Sequence, residues 1–401
     1  MVIAVGFMTT TLAQPRVLAH IPLQNLLKNV LHTDRSTNAA FFFWIGLPWY
    51  IKPILGILSD SLPIFGSRRK SYILIGALAS VAAWFSLMAR PHSYGELLVI
   101  CVLVNLATVM ASTALGGYMV EAARATGAAG RLTSLRNLSM QFSYLVAGPA
   151  GGLLGTLALS WSALACGSIA FVLVPFVWWL VREPYQQPAP AGVLHDMGRQ
   201  LGAMARARTL WAAAAIAALF FVAPGMNTAL FYLEQNKLHL GTQEQGYLAF
   251  LNAGGGMLAA ALYAFFAARR FLLRTLLFVG LLSSAVVPLG YLFYDSYAHA
   301  QAIDAIFGVG ITLGEIVVMH LAVRATPPGS EALGFAVLMA VRNFFMWGSD
   351  WLGSAMIESL HMPFSTLVYI NAGTTLLAVP LVLVLPKALV SARDKPEHAV
   401  E

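Results

Sequence analysis

The sequence predicts an all-α polytopic membrane protein, with twelve transmembrane helices in two pseudo-symmetric six-helix bundles. Hydrophobic residues make up 59% of the chain and charged residues 10%, and the mean hydropathy is +0.73. That balance is foreign to a soluble globular protein. A membrane helix takes about 20 predominantly apolar residues, so a chain of 401 residues holds roughly ten to twelve of them with short loops. The placement of basic residues supplies the third indication.

In order, the spans read as 2–31, 38–60, 70–89, 96–122, 131–157, 160–182, 209–235, 241–268, 272–294, 298–323, 331–357 and 364–388. Gln14, Arg16, His20, Gln24, Asn25 and Lys28 spoil the hydropathy of the first, so eleven helices is the competing count. Lys and Arg are retained in cytoplasmic loops. With both termini inside, sixteen of the 24 basic residues lie in or beside those loops, five lie within spans, and Arg35, Arg90 and Lys237 lie outside. The longest loop, from Glu183 to Arg208, opens on a Pro and Gln cluster and divides the chain. The expected domains are therefore bundles at 1–182 and 209–388, a cytoplasmic linker at 183–208 and a cytoplasmic tail at 389–401. Cys101 and Cys166 fall inside apolar spans and read as packing residues, not a disulfide. Met1 is followed by neither a basic region nor a small-residue cleavage site, so no secretory signal is expected.

The stretch from Leu47 to Ser71 ends one apolar span in Gly56-x-x-x-Asp60 and enters the next through Arg68, Arg69 and Lys70. It reads as a tight cytoplasmic turn. Arg269-Arg270 after the eighth span echoes Arg68-Arg69 after the second, as parallel six-helix repeats would. Lys52 lies between Pro48 and Pro53. It either faces a cavity, where it contacts an anionic solute, or satisfies carbonyls that the prolines free.

Several of these residues resemble the folate-biopterin transporters of the major facilitator superfamily. The first matching block runs through Pro48-Trp49, Lys52-Pro53, Gly56 to Asp60, Pro63 to Gly66, Arg68-Arg69 and Ser71-Tyr72. The second runs from Pro328 to Gly353, with Gly329, Glu331, Phe335-Ala336, Leu338-Met339 and Asn343. The resemblance implies the major facilitator fold and uptake of folates or related pterins coupled to protons. It also implies a gate built on Gly56, Asp60, Arg68 and Arg69. Asp60 would be drawn to the N-terminal dipole of the eleventh helix at Ser330. The fourth helix departs from the pattern, carrying Ser112 and Gly116 before Val120-Glu121 where relatives usually carry acidic residues.

Arg16, His20, Gln24 and Lys28 recur every four residues and share one face of a continuous first helix. Charges there cost roughly 2.5–3.5 kcal/mol each against lipid, so the face reads as a wet substrate path, the alternative being that Gln24 and Lys28 simply lie near the outer surface. In the tenth and eleventh spans, Glu315 falls level with Arg342, and Asp304 with Asp350. Either Glu315 or the Asp304 and Asp350 pair is the expected proton-coupling element, since two close carboxylates share a proton. A structural ion pair is the alternative for Glu315 and Arg342. A pterin with a glutamate tail needs cations, amides and ring faces. Arg16, His20, Gln24, Lys52, Asn227, Tyr232, Arg342, Asn343 and Trp347 supply the expected set, with Arg136, Gln141 and Phe231 as extensions. Pro224-Gly225 before Asn227 predicts a break in the seventh helix. Gly148, Pro149, Gly151, Gly152 and Gly155 of the fifth helix predict a close, bending interface, with Gly254, Gly255 and Gly256 as its partner.

No phosphate-cradling loop and no spaced His and Cys ligands occur, so no enzyme activity, cofactor or metal is expected. The expected function is a secondary transporter, a monomer in a bacterial inner membrane. It would import a folate-like or other anionic aromatic small molecule with protons, and no nucleic acid partner is expected. Export of an amphipathic compound, a muropeptide-type permease and a non-transporting receptor are the competing readings.

Overall fold

The computed structural model describes residues 1–89, 93–126, 129–181, 183, 202, 206, 208–325, 331–386 and 390. Apolar runs fold into helices because a backbone in hydrocarbon must satisfy its own polar groups. Seven helices among the described residues are long and apolar enough to cross a membrane, among them Tyr94–Met119, Leu210–Asn236 and Tyr297–Ala322. The chain forms two units, Met1–Asp196 with Gly241–Phe250, and Met197–Leu240 with Leu251–Glu401.

The first unit holds α1 (Val2–Leu12), α2 (His20–Asn29), α3 (Arg35–Ile45), α4 (Leu47–Tyr50), α5 (Lys52–Ser61), α6 (Lys70–Ser86), α7 (Tyr94–Thr126), α8 (Ala129–Leu154) and α9 (Leu159–Leu180). Its core joins Phe7, Tyr72, Ile73, Leu115 and Leu173. In the second unit come α10 (Arg208–Val222), α11 (Asn227–Asn236), α13 (Leu273–Val286), α14 (Tyr297–Ala325), α15 (Glu331–Ser359) and α16 (Phe364–Leu381); α12 (Thr242–Leu262) begins in the first. Phe220, Leu277, Leu281, Val317 and Leu321 centre its core. A π turn at Tyr263–Ala267 extends α12, and a 3₁₀ segment at Val287–Phe293 extends α13.

Three expected spans are broken, the first, the second and the seventh. The first divides into α1 and α2 around residues 13–19, because Pro15 has no N–H to donate and crowds the preceding turn. The single face expected for Arg16, His20, Gln24 and Lys28 is corrected accordingly. His20, Gln24 and Lys28 share α2, whereas Arg16 lies in the break. The second span divides at Gly46 and Ile51, where Pro48 and Pro53 each start a new helical piece.

The seventh span breaks at 223–226, where Pro224-Gly225 was expected to interrupt it. The breaks in the first and seventh spans each lead into a ten-residue helix, α2 or α11, that ends at an Asn followed two residues on by Leu-His. His32 and His239 close these helices in the left-handed region at φ 52° and 54°. The neighbouring amides turn back identically: Leu31 N–H donates to Leu26 O at 3.0 Å and Leu238 N–H to Leu233 O at 3.3 Å. This repeated turn is a firmer mark of internal duplication than the basic doublets.

The fifth-helix glycines pack against a partner one to three turns away from the expected one. A Cβ on Gly148 would lie 2.7 Å from the Gly246 carbonyl, and one on Gly152 2.6 Å from that of Thr242. These contacts lie within the first unit. Gly255 and Gly256 face Ala305 and Thr312 of α14 instead. A run of glycines announces close approach but carries no register.

Candidate functional site

In the first unit the break exposes backbone that buried side chains then satisfy. Trp84 is fully buried, and its Nε1 donates to the Ala13 carbonyl at 2.9 Å. Gln14 Nε2 donates to Thr10 O at 2.7 Å. With these groups settled, Arg16 extends from the turn and its Nη2 donates to the Tyr50 hydroxyl at 3.4 Å, while that hydroxyl donates to Phe43 O at 2.9 Å. Gly46 permits this, since a Cβ there would strike both the guanidinium and the Tyr50 oxygen. His20 stands edge-on to Phe42 at 4.6 Å. Gln24 is buried in α2, and its side-chain nitrogen has no hydrogen-bond acceptor among the described residues.

Lys52 begins α5 half-buried, 5.0 Å above the Trp49 ring, with its ammonium donating to Ser112 Oγ at 3.4 Å. Ser112, noted in the sequence only as a departure from an acidic pattern, is therefore a partner of Lys52. Asn105 is a second residue that sequence reasoning missed. Its Nδ2 donates to Ile45 O at 2.6 Å and its Oδ1 accepts from Trp49 at 3.2 Å, so it satisfies a carbonyl next to the Gly46 break. A lone Asn in an otherwise apolar span was the available signal.

The turn after α5 is held by Arg69. Its guanidinium pairs with Glu121 at 2.9 Å and donates to Ser59 Oγ at 3.4 Å. The Glu183 carboxylate accepts from the backbone N–H of Arg69 at 3.1 Å and Lys70 at 3.0 Å, and from the Ser67 hydroxyl. An anion thus caps the positive end of α6. Arg68 is half-buried beside it, and Gly56 lies within α5. The expected contact of Asp60 with Ser330 lies outside the described residues.

In the second unit the break at 223–226 is equally well satisfied. Gly225 N–H donates to Ser349 O at 2.8 Å, and Asn371 Nδ2 donates to the Pro224 carbonyl at 2.8 Å. Asp350 is buried and accepts from Thr228 N–H at 3.1 Å and Thr228 Oγ1 at 2.6 Å, capping α11. Arg342 forms an ion pair with Glu315, donates from Nη1 to Asn343 Oδ1 at 3.0 Å, and holds its guanidinium 5.7 Å from the Phe221 ring. Its Nε is buried with no acceptor among the described residues. Trp347 is half-buried in the same helix, Asn227 is exposed at the start of α11, and Tyr232 is buried against Phe231.

Asp304 takes partners that the sequence did not foresee. Tyr291 donates to it at 2.9 Å and the Tyr294 hydroxyl lies 2.7 Å away, while that same hydroxyl is 2.9 Å from Glu234. Nothing in the local sequence joins Glu234 to Asp304, which are brought together by the fold of the second unit.

Two units, each with an interrupted leading helix, match the fold of a class of proteins, the major facilitator transporters. A crystal structure of the nucleoside transporter NupG superimposes with a TM-score of 0.71 over 96% of this chain and 98% of its own, at 12% identity. An inward-open structure of the xylose transporter XylE from E. coli gives 0.69 over 99% and 96%, at 14% identity. The chain belongs to the BT1 family, whose model matches residues 15–401. A folate-biopterin transporter of Synechocystis sp. (strain ATCC 27184 / PCC 6803 / Kazusa) is 26% identical over 95% of this chain and 81% of its own. Probable folate-biopterin transporter 2 of Arabidopsis thaliana is 26% identical over 86% and 72%. These relatives and structural neighbours are transporters, not enzymes, and the chain is an integral membrane transporter of a small molecule.

Proposed function

We propose that the protein imports a folate-like or pterin-like anion by proton-coupled alternating access. It works as a monomer in a bacterial inner membrane with both termini cytoplasmic. The similarity to the Synechocystis folate-biopterin transporter, which extends along 95% of this chain, carries the reading. The chemistry on the helices is consistent with it. The first unit carries Arg16, His20, Gln24 and Lys52, and the second Asn227, Tyr232, Arg342, Asn343 and Trp347, the cations, amides and rings that a folate-like anion would need. The buried donors Gln24 Nε2 and Arg342 Nε have hydrogen-bonding capacity to give. Asp304, Glu315 and Asp350 are the carboxylates for proton coupling, and Gly56, Asp60, Arg68 and Arg69 of the first unit are the gating residues.

Uptake of radiolabelled folate and pterin into cells expressing the protein is expected to exceed that of empty cells and to fall with an uncoupler. No uptake of either, with the protein confirmed in the membrane, defeats the substrate assignment. Binding and gating separate by mutation. Lys52→Ala removes a charge-assisted contact of about 1.5–3 kcal/mol and is expected to raise Kd for folate by roughly 10- to 100-fold. Asp60→Asn is expected to slow turnover while leaving Kd nearly unchanged. Equal loss of affinity in both variants contradicts the division.

A further inference from the structure

Three oxygen–oxygen hydrogen bonds meet in the second unit where hydroxyl groups supply only two protons. Tyr291 Oη donates to Asp304 Oδ1 at 2.9 Å, leaving Tyr294 Oη to face Asp304 Oδ2 at 2.7 Å and Glu234 Oε1 at 2.9 Å. A phenol carries one proton, so it can make a short, linear bond to only one of two carboxylates. The other contact requires a carboxylic acid that donates to the Tyr294 oxygen. All three side chains are buried, Glu234 at 9% exposure, Asp304 at 6% and Tyr294 at 2%. Two carboxylates held around one hydroxyl in such a medium share a proton more cheaply than they bear two charges.

We infer that Glu234, Tyr294 and Asp304 form a proton-binding site that holds a single proton between the two carboxyl groups. The fold does not require acids at these places. Glu234 stands five residues before His239, as Leu27 stands before His32 in the matching turn of the first unit. Asp304 stands seven residues after the Ser-Tyr that opens α14, as Cys101 does after the Ser-Tyr that opens α7. Leu27 and Cys101 are both fully buried and uncharged. The second unit has acids where its counterpart packs a hydrocarbon and a thiol.

The site also fastens the short helix that follows the break. α11 follows the break at 223–226 and is tied at its start by Asp350 through Thr228. Its far end is tied by Glu234. Loss of the shared proton leaves two carboxylates facing one hydroxyl and loosens that end. Among the described residues, the ionisable groups on and beside the packed elements include Lys237 and His239 just past Glu234, Arg342, Asp350 and Glu358 on α15, Tyr369 on α16, Tyr297 and Glu315 on α14, and the exposed Asp295 and His299 pair beside the start of α14. That release of α11 couples protons to transport rests on the proposed function; the binding of the proton does not.

Infrared absorption of the purified protein reports protonated carboxyl groups directly. At neutral pH the wild type is expected to show a carboxylic-acid band that diminishes in Glu234→Gln or Asp304→Asn and disappears from the wild type as pH rises. Tyr294→Phe is expected to shift that band, and it serves where an acid variant fails to fold. A band unchanged in both acid variants, or one in the wild type that neither Tyr294→Phe nor pH moves, overturns the site. For coupling, Glu234→Gln is expected to retain folate counterflow and to lose accumulation driven by a pH gradient. Full gradient-driven accumulation in that variant refutes the coupling. A wild type that carries no folate refutes the transport reading, while the infrared result still decides the proton site.

Discussion

Gly225→Val is expected to yield protein that unfolds at a markedly lower temperature in detergent than the wild type, or none that survives purification. A Cβ at position 225 would lie 2.7 Å from the Asp350 Cα and 2.8 Å from its nitrogen. Both are backbone atoms inside a helix, and neither can rotate away as a side chain can. Forcing atoms into a filled site costs about 1–3 kcal/mol and occasionally more. Pushing α15 away also strains the Gly225 N–H bond to Ser349, and a buried amide left without a partner costs a further ~1–3 kcal/mol. Gly225→Ala should fall between wild type and Val. Gly254→Ala is the control, because a Cβ there meets no atom within 4 Å. An unfolding temperature for Gly225→Val equal to that of wild type contradicts the close approach at the break.

Replacing Arg342 has the largest expected effect on ligand affinity. Arg342→Leu removes the ion pair with Glu315, the bond to Asn343 and the cation above Phe221. It also removes the buried Nε donor. With a charge-assisted contact to an anionic solute worth about 1.5–3 kcal/mol, Kd for folate should rise by roughly 10- to 100-fold. Arg342→Lys should recover only part of this, since a point charge cannot reproduce the planar fork. The stability cost should be smaller than for a fully buried pair, because the Glu315 side chain is 35% exposed and water screens it. Folate titration of the purified variants gives the answer. An unchanged Kd in Arg342→Leu assigns the pair to helix packing alone.

Much of the architecture could be read directly from the residues. Long apolar runs such as 94–119 and 297–322 announce membrane helices by composition, and Pro224-Gly225 announces its own break. The break at 13–19 was hidden because Gln14, Pro15 and Arg16 read as poor hydropathy in a marginal span, although Pro15 carries the same steric message. Ion pairing of Glu315 and Arg342 was legible because both helices leave one short loop, so depths can be counted from it. Glu234 was not, since Tyr294 and Asp304 lie 60 and 70 residues away along the chain and no periodicity links them. The fifth-helix glycines were readable as small residues but not in register, because contact depends on how far one helix slides along another.

The Glu183 carboxylate has a practical consequence for genetic dissection. It is the residue at which the first bundle was expected to give way to linker, yet it fastens the amides that open α6. Where the two bundles are produced as separate polypeptides, the cut therefore belongs downstream of it. A cut made upstream would remove the counter-charge from the third expected span and place that carboxylate on the wrong fragment.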